Sequence, residues 1–419
     1  MPRFATHITL LALALALQAC STDAESDTQA NGSGQVAKTP ARIAFERGSD
    51  AVKVYLETLD HDSLTAAIEN LEESVRLEPF EVEYLLMAGR TQELALDGAK
   101  AFGHYRVATG LGHDDPLVWR RMGVLALELG DLDQARGCLE RALSHEVVDP
   151  ELFFGYGCLL DLENELDQAR NAFEAAIASR RTYDDAYFRL AKVLRGLGDE
   201  EGADYAAAKF EEWKAVHQAL ADARKHAAKN PADGESVRSV GILLLKLDQA
   251  EESVEWLRRA KGMLPGDALT LEQLGRAQQT LGQLSAARRS LESAVKIAPN
   301  QPSGLQALAF VLGEGGDPDE ALERMRQALA LAPNDANLLY QQGVLFMQLG
   351  QPSDAFEAYS EALLNDPESV DALLGLAEVH YGDGRREDAR ATYRSVLAIQ
   401  PGNPAARSSL AFILEEDGE

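Results

Sequence analysis

Three kinds of residue are scarce in this chain of 419, and each scarcity narrows what it can be. Basic residues are the first: 40 Lys and Arg stand against 68 Asp and Glu, a formal charge of −28. A field of that sign repels nucleic acid and offers no polybasic attachment to anionic lipid. Aromatic residues make up only 6% beside 46% hydrophobic content, and the length admits two or three ordinary domains or one extended array. Cysteines number three, Cys20, Cys138 and Cys158. The last two are either a disulfide or separate semi-buried thiols, because a bridge needs Cα atoms within roughly 7 Å. Catalytic patterns are missing altogether. The eight histidines at 7, 61, 104, 113, 145, 217, 226 and 380 form no H-E-x-x-H or other ligand spacing, and there is no G-x-S-x-G, Walker or dinucleotide-binding pattern. No catalytic residue, metal ligand, cofactor or small-molecule substrate is therefore assigned.

What is present begins with MPRFATHITLLALALALQAC. One Arg near the start, an apolar stretch from Ile8 to Leu17 and a small residue, Ala19, before Cys20 form the layout of a secretory signal. The stretch is too short to span a bilayer. Leu17-Gln18-Ala19-Cys20 resembles the lipobox of bacterial lipoproteins; the alternative is an ordinary signal peptide with a chance cysteine. The resemblance implies acylation of Cys20 as the mature N-terminus and stable attachment to a bilayer. Ser21 after the cysteine implies, in that family, the outer membrane facing the periplasm. Residues 20–43 then read as a flexible tether, since Ser, Thr, Gly, Asp and Gln dominate and little apolar surface is available to offset ordering entropy.

The remainder repeats. LDQAR stands at 132–136 and again at 166–170, an interval of 34 residues. On that step small residues recur at two phases. One carries Gly89, Gly123 and Gly157, then Gly241, Gly275 and Gly343; the other carries Ala101, Ala135 and Ala169, then Ala287, Ala321, Ala355 and Ala389. Pro265, Pro299, Pro333, Pro367 and Pro401 keep the same step.

This spacing resembles the tetratricopeptide repeat (TPR), a 34-residue helix–turn–helix unit with small residues at positions 8 and 20. The unit from Pro116 answers with Trp119, Gly123, Ala135, Leu139 and Ala142, and departs at Val147, where the family has proline. The resemblance implies an all-α, right-handed superhelical solenoid in two blocks of about five repeats joined by a long helix. Repeat starts fall at 48, 82, 116, 150 and 184, then 234, 268, 302, 336 and 370. The organisation is a leader over 1–19, the tether over 20–43 and a first block over 44–217. A register-shifting helix over 218–233, a second block over 234–403 and a capping helix over 404–419 follow. The first repeat is degenerate, with Tyr55 at position 8. Residues 199–229 hold no proline, so they form one long helix or two broken near Lys214.

Function in such an array comes from its surfaces. In the family the first helix of each repeat lines the concave face, and the residues at those phases differ between blocks. The first block presents Arg90, Arg120, Phe154, Phe188, Lys192 and Arg195, with Arg121 and Arg189 beside them. The second presents Phe310, Tyr340, Val344, Met347, Leu374, Tyr381 and Phe412. Arg189, Lys192 and Arg195 are either a solvated face balanced by carboxylates or a site for an acidic partner. The aromatic row is either packing between helices or a groove for an apolar peptide. These observations point to a membrane-anchored, non-catalytic scaffold for protein or peptide partners in a bacterial envelope. The alternative is a regulator of, or an enzyme acting on, cell-wall or polysaccharide substrates.

Overall fold

The structure, a computed structural model, describes residues 38–417. The leader, Cys20 and the tether up to residue 37 lie outside them. Among the described residues there are 21 helices and no strand. Contacts divide them into two compact units, 38–179 and 180–417.

The first unit comprises α1 (Pro40–Thr58), α2 (His61–Leu77), α3 (Val82–Leu94), α4 (Gly98–Gly110), α5 (Pro116–Leu129), α6 (Leu132–Leu143), α7 (Pro150–Leu162) and α8 (Leu166–Ser179). The second begins with α9 (Asp184–Leu197), α10 (Glu200–Lys229), α11 (Gly234–Lys246), α12 (Ala250–Met263), α13 (Ala268–Thr280) and α14 (Leu284–Ile297). It continues with α15 (Pro302–Glu314), α16 (Pro318–Leu331), α17 (Ala336–Gln348), α18 (Pro352–Asn365), α19 (Val370–Gly382), α20 (Arg386–Ile399) and α21 (Pro404–Asp417). Each odd-numbered helix up to α19 pairs with the next, and each pair packs on its neighbour within its unit.

Local chemistry fixes these boundaries. Asp115, Asp131 and Asp149 accept hydrogen bonds from the first free N–H groups of α5, α6 and α7, satisfying donors that a helix start leaves without partners. The turn inside a pair places its fifteenth residue in the left-handed region. Gly130, Gly198 and Gly350 take it at φ 78°, 80° and 71°, and Leu96, Asn164 and Asp248 at 59°, 63° and 59°. The bond between turn and helix therefore recurs even where the favoured glycine does not.

The pair is defined by a close crossing. A Cβ placed on Gly123 would lie 2.5 Å from Cγ of Leu139, and one on Gly275 would lie 2.5 Å from Cγ of Leu291. Gly89, Gly157, Gly241 and Gly343 face Tyr105, Phe173, Leu257 and Tyr359 in the same way. Opposite them Ala101, Ala135, Ala169, Ala287, Ala321, Ala355 and Ala389 are fully buried. Where Ser253 replaces the alanine, its hydroxyl donates to the carbonyl of Gly241 at 2.7 Å, so the polar atom costs little. Successive pairs merge their cores: Tyr105, Met122, Leu139, Leu152 and Leu159 from α4 to α7 belong to one apolar cluster.

The LDQAR motif at 132–136 needs its last letter as much as its alanine. Arg136 reaches from α6 to Glu163 and to Glu165, 3.1 Å away, in the turn of the next repeat. Arg288 spans the equivalent gap to Asp317 and Glu320, at 2.6 and 3.1 Å.

Three boundaries differ from the sequence reading. Helix α1 starts at Pro40, with Ala41 buried, so the tether ends before residue 43. In the first pair the small residue at the crossing is Gly48, not position 55: a Cβ on Gly48 would be 2.6 Å from Leu71. Helix α1 is 19 residues long, against 13 for α3. The 34-residue step, counted back through it, lands two turns too late. Finally, the boundary between units falls between Ser179 and Arg180 rather than in 218–233, whereas of the two readings for 199–229 the single helix holds, α10 running unbroken from Glu200 to Lys229 inside the second unit.

The crossing yields a paired test. Gly123→Leu should destabilise the first unit by about 1–3 kcal/mol through overpacking. Gly137→Ala, in a helix with nothing within 4 Å of the added atom, should stabilise it by roughly 0.5–1 kcal/mol. Thermal unfolding followed by circular dichroism checks both, and equal shifts of one sign would sink the crossing.

Candidate functional site

The basic residues expected on the first unit are taken up by carboxylates. Arg120, whose side chain is 12% exposed, sits 3.0 Å from Asp149 and also contacts Glu151. Asp149 is the cap of α7, so Arg120 ties α5 to the start of the next repeat. Arg121, 9% exposed, lies 2.6 Å from Glu93, and the Tyr105 hydroxyl donates to the other oxygen of that carboxylate at 2.5 Å. Burial, with Glu93 beside it, pushes the Tyr105 phenol well above its ordinary range. Arg120 and Arg121 are thus internal cross-links and not an open basic face, because an arginine carried into packed helices must be neutralised. Arg90 is half-buried beside the same cluster. Phe154 packs on Phe173, with ring centroids 5.8 Å apart.

Phe188, Arg189, Lys192 and Arg195 lie on α9, in the second unit with the apolar row. Here the structure does form a cleft. Phe188 and Phe210 stand 5.2 Å apart at an interplanar angle of 50°. With Ala191, Lys192, Arg195, Ala207 and Glu211 they line a space of about 430 Å³. Phe188 remains 52% exposed. Arg195 is 3.6 Å from Asp204, and Lys214 covers the Phe210 ring at 4.9 Å while reaching Glu211 at 3.4 Å. The floor is apolar and the rim carries charge of both signs.

Phe210, Ala207 and Glu211 were missed by reasoning from first helices alone, yet the sequence held a signal. The position of Phe210 in its repeat is filled elsewhere by Ser74, Ala108, Ala142, Ala176, Ala260, Ala294, Ala328, Ala362 and Val396, all buried. Those small residues seat the next repeat. After 184 the next repeat starts at 234, fifty residues on instead of 34. Helix α11 accordingly packs further along α10, where Val216, Leu220 and Ala227 meet Val237, Val240 and Leu244. Phe210 is left beside the vacated position.

The apolar row is mixed. Phe310, Leu374 and Val344 are partly buried against the cores of their repeats. Tyr340 packs on Tyr359, whose ring fills the space at Gly343 and Gly375. Met347 and Phe412 are exposed, and Tyr381 meets Phe412 edge-on at 6.3 Å. Packing between helices accounts for the first four, while Met347, Tyr381 and Phe412 keep surface for a partner.

Cys138 and Cys158 are both free thiols. Burial pushes the Cys138 thiol up to about 11, which keeps it protonated and unreactive near neutrality. Among the described residues no group of His, Cys, Asp or Glu is arranged to hold a metal ion, and no helix is long and apolar enough to cross a membrane.

Truncating Arg121 tests the cross-link. Arg121→Ala leaves Glu93 half-buried without its partner, and the expected loss is about 3–5 kcal/mol. Denaturant unfolding measures it; a change under about 1 kcal/mol, the range of an exposed pair, would show that the arginine does not join the repeats.

Two tetratricopeptide-repeat family models match this chain, one at residues 269–301 and the other at 307–363 and 340–404. Over 206 residues, 48% of its length, the chain is 27% identical to human cilia- and flagella-associated protein 70, and it spans 17% of that relative. Among solved structures, a thermophilic TPR protein from Thermus thermophilus shares 24% identity at a TM-score of 0.40, with 43% of this chain and 98% of that one covered. Yeast Tom70 shares 14% at a TM-score of 0.40, with 90% and 96% covered. The matched segments, 269–301 and 307–404, are tetratricopeptide repeats, and the same paired helices and left-handed turn run from α3 to α20.

Proposed function

We propose that this protein is a lipid-anchored scaffold of the bacterial envelope, without catalysis of its own, serving an assembly or transport machine. Acylated Cys20 holds it on the outer membrane, facing the periplasm, and its repeats grip protein partners. The observation that carries the binding half is the open cleft on α9 and α10, apolar at its floor and charged at its rim. Stacked repeats present extended surfaces of this kind to their partners. The partner segment is extended or helical, with acidic groups toward Arg189, Lys192 and Arg195. Its apolar anchors face Met347, Tyr381 and Phe412. The anchoring half is supported by the leader and the Leu17-to-Cys20 motif.

Each half has its own experiment. Cys20→Ser should leave protein that is absent from washed membranes or retained as unprocessed precursor. Mature protein that still fractionates with membranes and carries no acyl label would remove the anchor.

For the groove, cross-linking in the native bacterium followed by co-purification identifies the partner. Replacing Arg189, Lys192 and Arg195 together should then weaken its binding mainly at low salt, since exposed charges are screened within about 8–10 Å at physiological ionic strength. Replacing Met347, Tyr381 and Phe412 by Ala should weaken it at every salt concentration, because anchors buried on binding carry most of the energy of such contacts. Unchanged affinity in both folded variants, with loss on substituting the opposite faces of the repeats, would move binding to the outer surface.

A further inference from the structure

The two ends of the second unit touch. Asp199 caps α10, accepting from the Gly202 N–H at 2.9 Å. The same carboxylate accepts two hydrogen bonds from Arg407 of α21, 208 positions along the chain, one of them at 3.2 Å. The Arg407 guanidinium also lies 3.7 Å from Glu201. Its Nε donates to the Pro401 carbonyl at 2.7 Å, which holds the side chain in place.

Backbone meets backbone beside this ion pair. A Cβ on Gly402 would lie 2.7 Å from the Glu201 carbonyl oxygen and 3.1 Å from Cα of Gly202, and would collide with Cβ of Tyr205. A Cβ on Gly202 would lie 3.1 Å from Nη1 of Arg407. Both glycines are buried. Only chains without side chains at these two points can come so close.

From α9 to α21 each helix packs on the next, and the contact of α21 with the start of α10 returns the series to its beginning. We propose that the second unit is a closed ring of repeats, fastened by a salt-sensitive clasp in which Gly402 and Arg407 engage Asp199, Glu201, Gly202 and Tyr205, and that the ring opens there. The other joints bury apolar side chains, as where Val396 of α20 meets Ala406 and Ile413 of α21. The clasp instead rests on one arginine between carboxylates, the Arg407 and Asp199 side chains being 37% and 31% exposed, and such a pair weakens as salt screens it. It closes on the helix that carries Ala207, Phe210 and Glu211, so opening it alters the surroundings of the cleft. The inference goes beyond partner binding and does not depend on it.

Hydrogen exchange on the full chain, without any partner, tests it. Residues 199–206 are the readout, and the substitutions sit some 200 positions away (402 − 202 = 200). In Arg407→Glu, which sets like charges against each other, and in Gly402→Leu, which wedges the contact, exchange at 199–206 should rise about tenfold or more while 250–330 stays protected. Arg407→Lys, which keeps the charge and loses the two-point contact with Asp199, should fall between wild type and Arg407→Glu. Raising sodium chloride from about 0.05 to about 0.5 M, which shortens the screening length severalfold, should speed exchange at 199–206 in the unaltered chain. Folded variants with wild-type protection at 199–206 overturn the clasp. If either variant proves unfolded by circular dichroism, the salt series on the unaltered chain decides, and protection that ignores salt overturns it as well.

Discussion

Everything in this molecule hangs from the crossing of two helices at a residue too small to hold them apart. Gly123 under Leu139 and Gly89 under Tyr105 bring backbones together at a distance that admits no further atom. A pair so closed still presents an apolar flank, and only another pair can cover it. The left-handed turn at the fifteenth residue sets the angle of return, and the repeats therefore stack in one direction. Composition follows from the same constraint. At some crossings an aromatic ring fills the glycine's vacancy, as Tyr105, Phe173 and Tyr359 do, and at others a leucine does, as Leu139 and Leu291 do.

The charge of −28 has an equally local origin. From α3 on, helices start sixteen or eighteen residues apart except after the long α10, and aspartate supplies most of the side-chain caps, at 60, 97, 115, 131, 149, 199, 233, 267 and 335. Other carboxylates receive arginines that cross from one repeat to the next, as Glu163 and Glu165 receive Arg136. Part of the acidity thus comes from capping helices and joining repeats, and the basic residues serve the same joints. A reading that counts Arg120 and Arg121 as surface charge misses that their partners were selected by the fold.

The repeat was legible because its determinants are periodic and steric: small residues at two phases and a turn between them. Helix pairs from α3 to α20 lie where the 34-residue step puts them. What was not legible is aperiodic. Gly48 escaped because α1 is longer than its counterparts, and no step reveals the length of a first helix. Pairing of Arg121 with Glu93 depends on which side chains meet across a repeat boundary, which spacing alone does not state. The contact of Arg407 with Asp199 is further removed still, since it depends on the summed geometry of every intervening pair. Phe210 lies between these cases: it was visible as the one aromatic residue at a position otherwise filled by Ala, Ser or Val, but only once that position was known to seat the next repeat.

That exception also separates a tolerated gap from a surface kept for use. When α10 runs on and α11 stacks further along it, the vacated seat needs no large side chain, and an alanine there would leave a shallow, soluble surface. Phenylalanine does the opposite. It sets a second ring, itself partly buried under Lys214, beside the half-exposed Phe188, against the general avoidance of exposed apolar clusters. Such a pair contributes little to packing, because Phe188 is half exposed. It does match the chemistry of a binding hot spot, in which a concave apolar floor is bounded by charged groups that exclude water and fix orientation. A local breach of the repeat pattern of this kind is what the partner-binding reading of the cleft on α9 and α10 calls for.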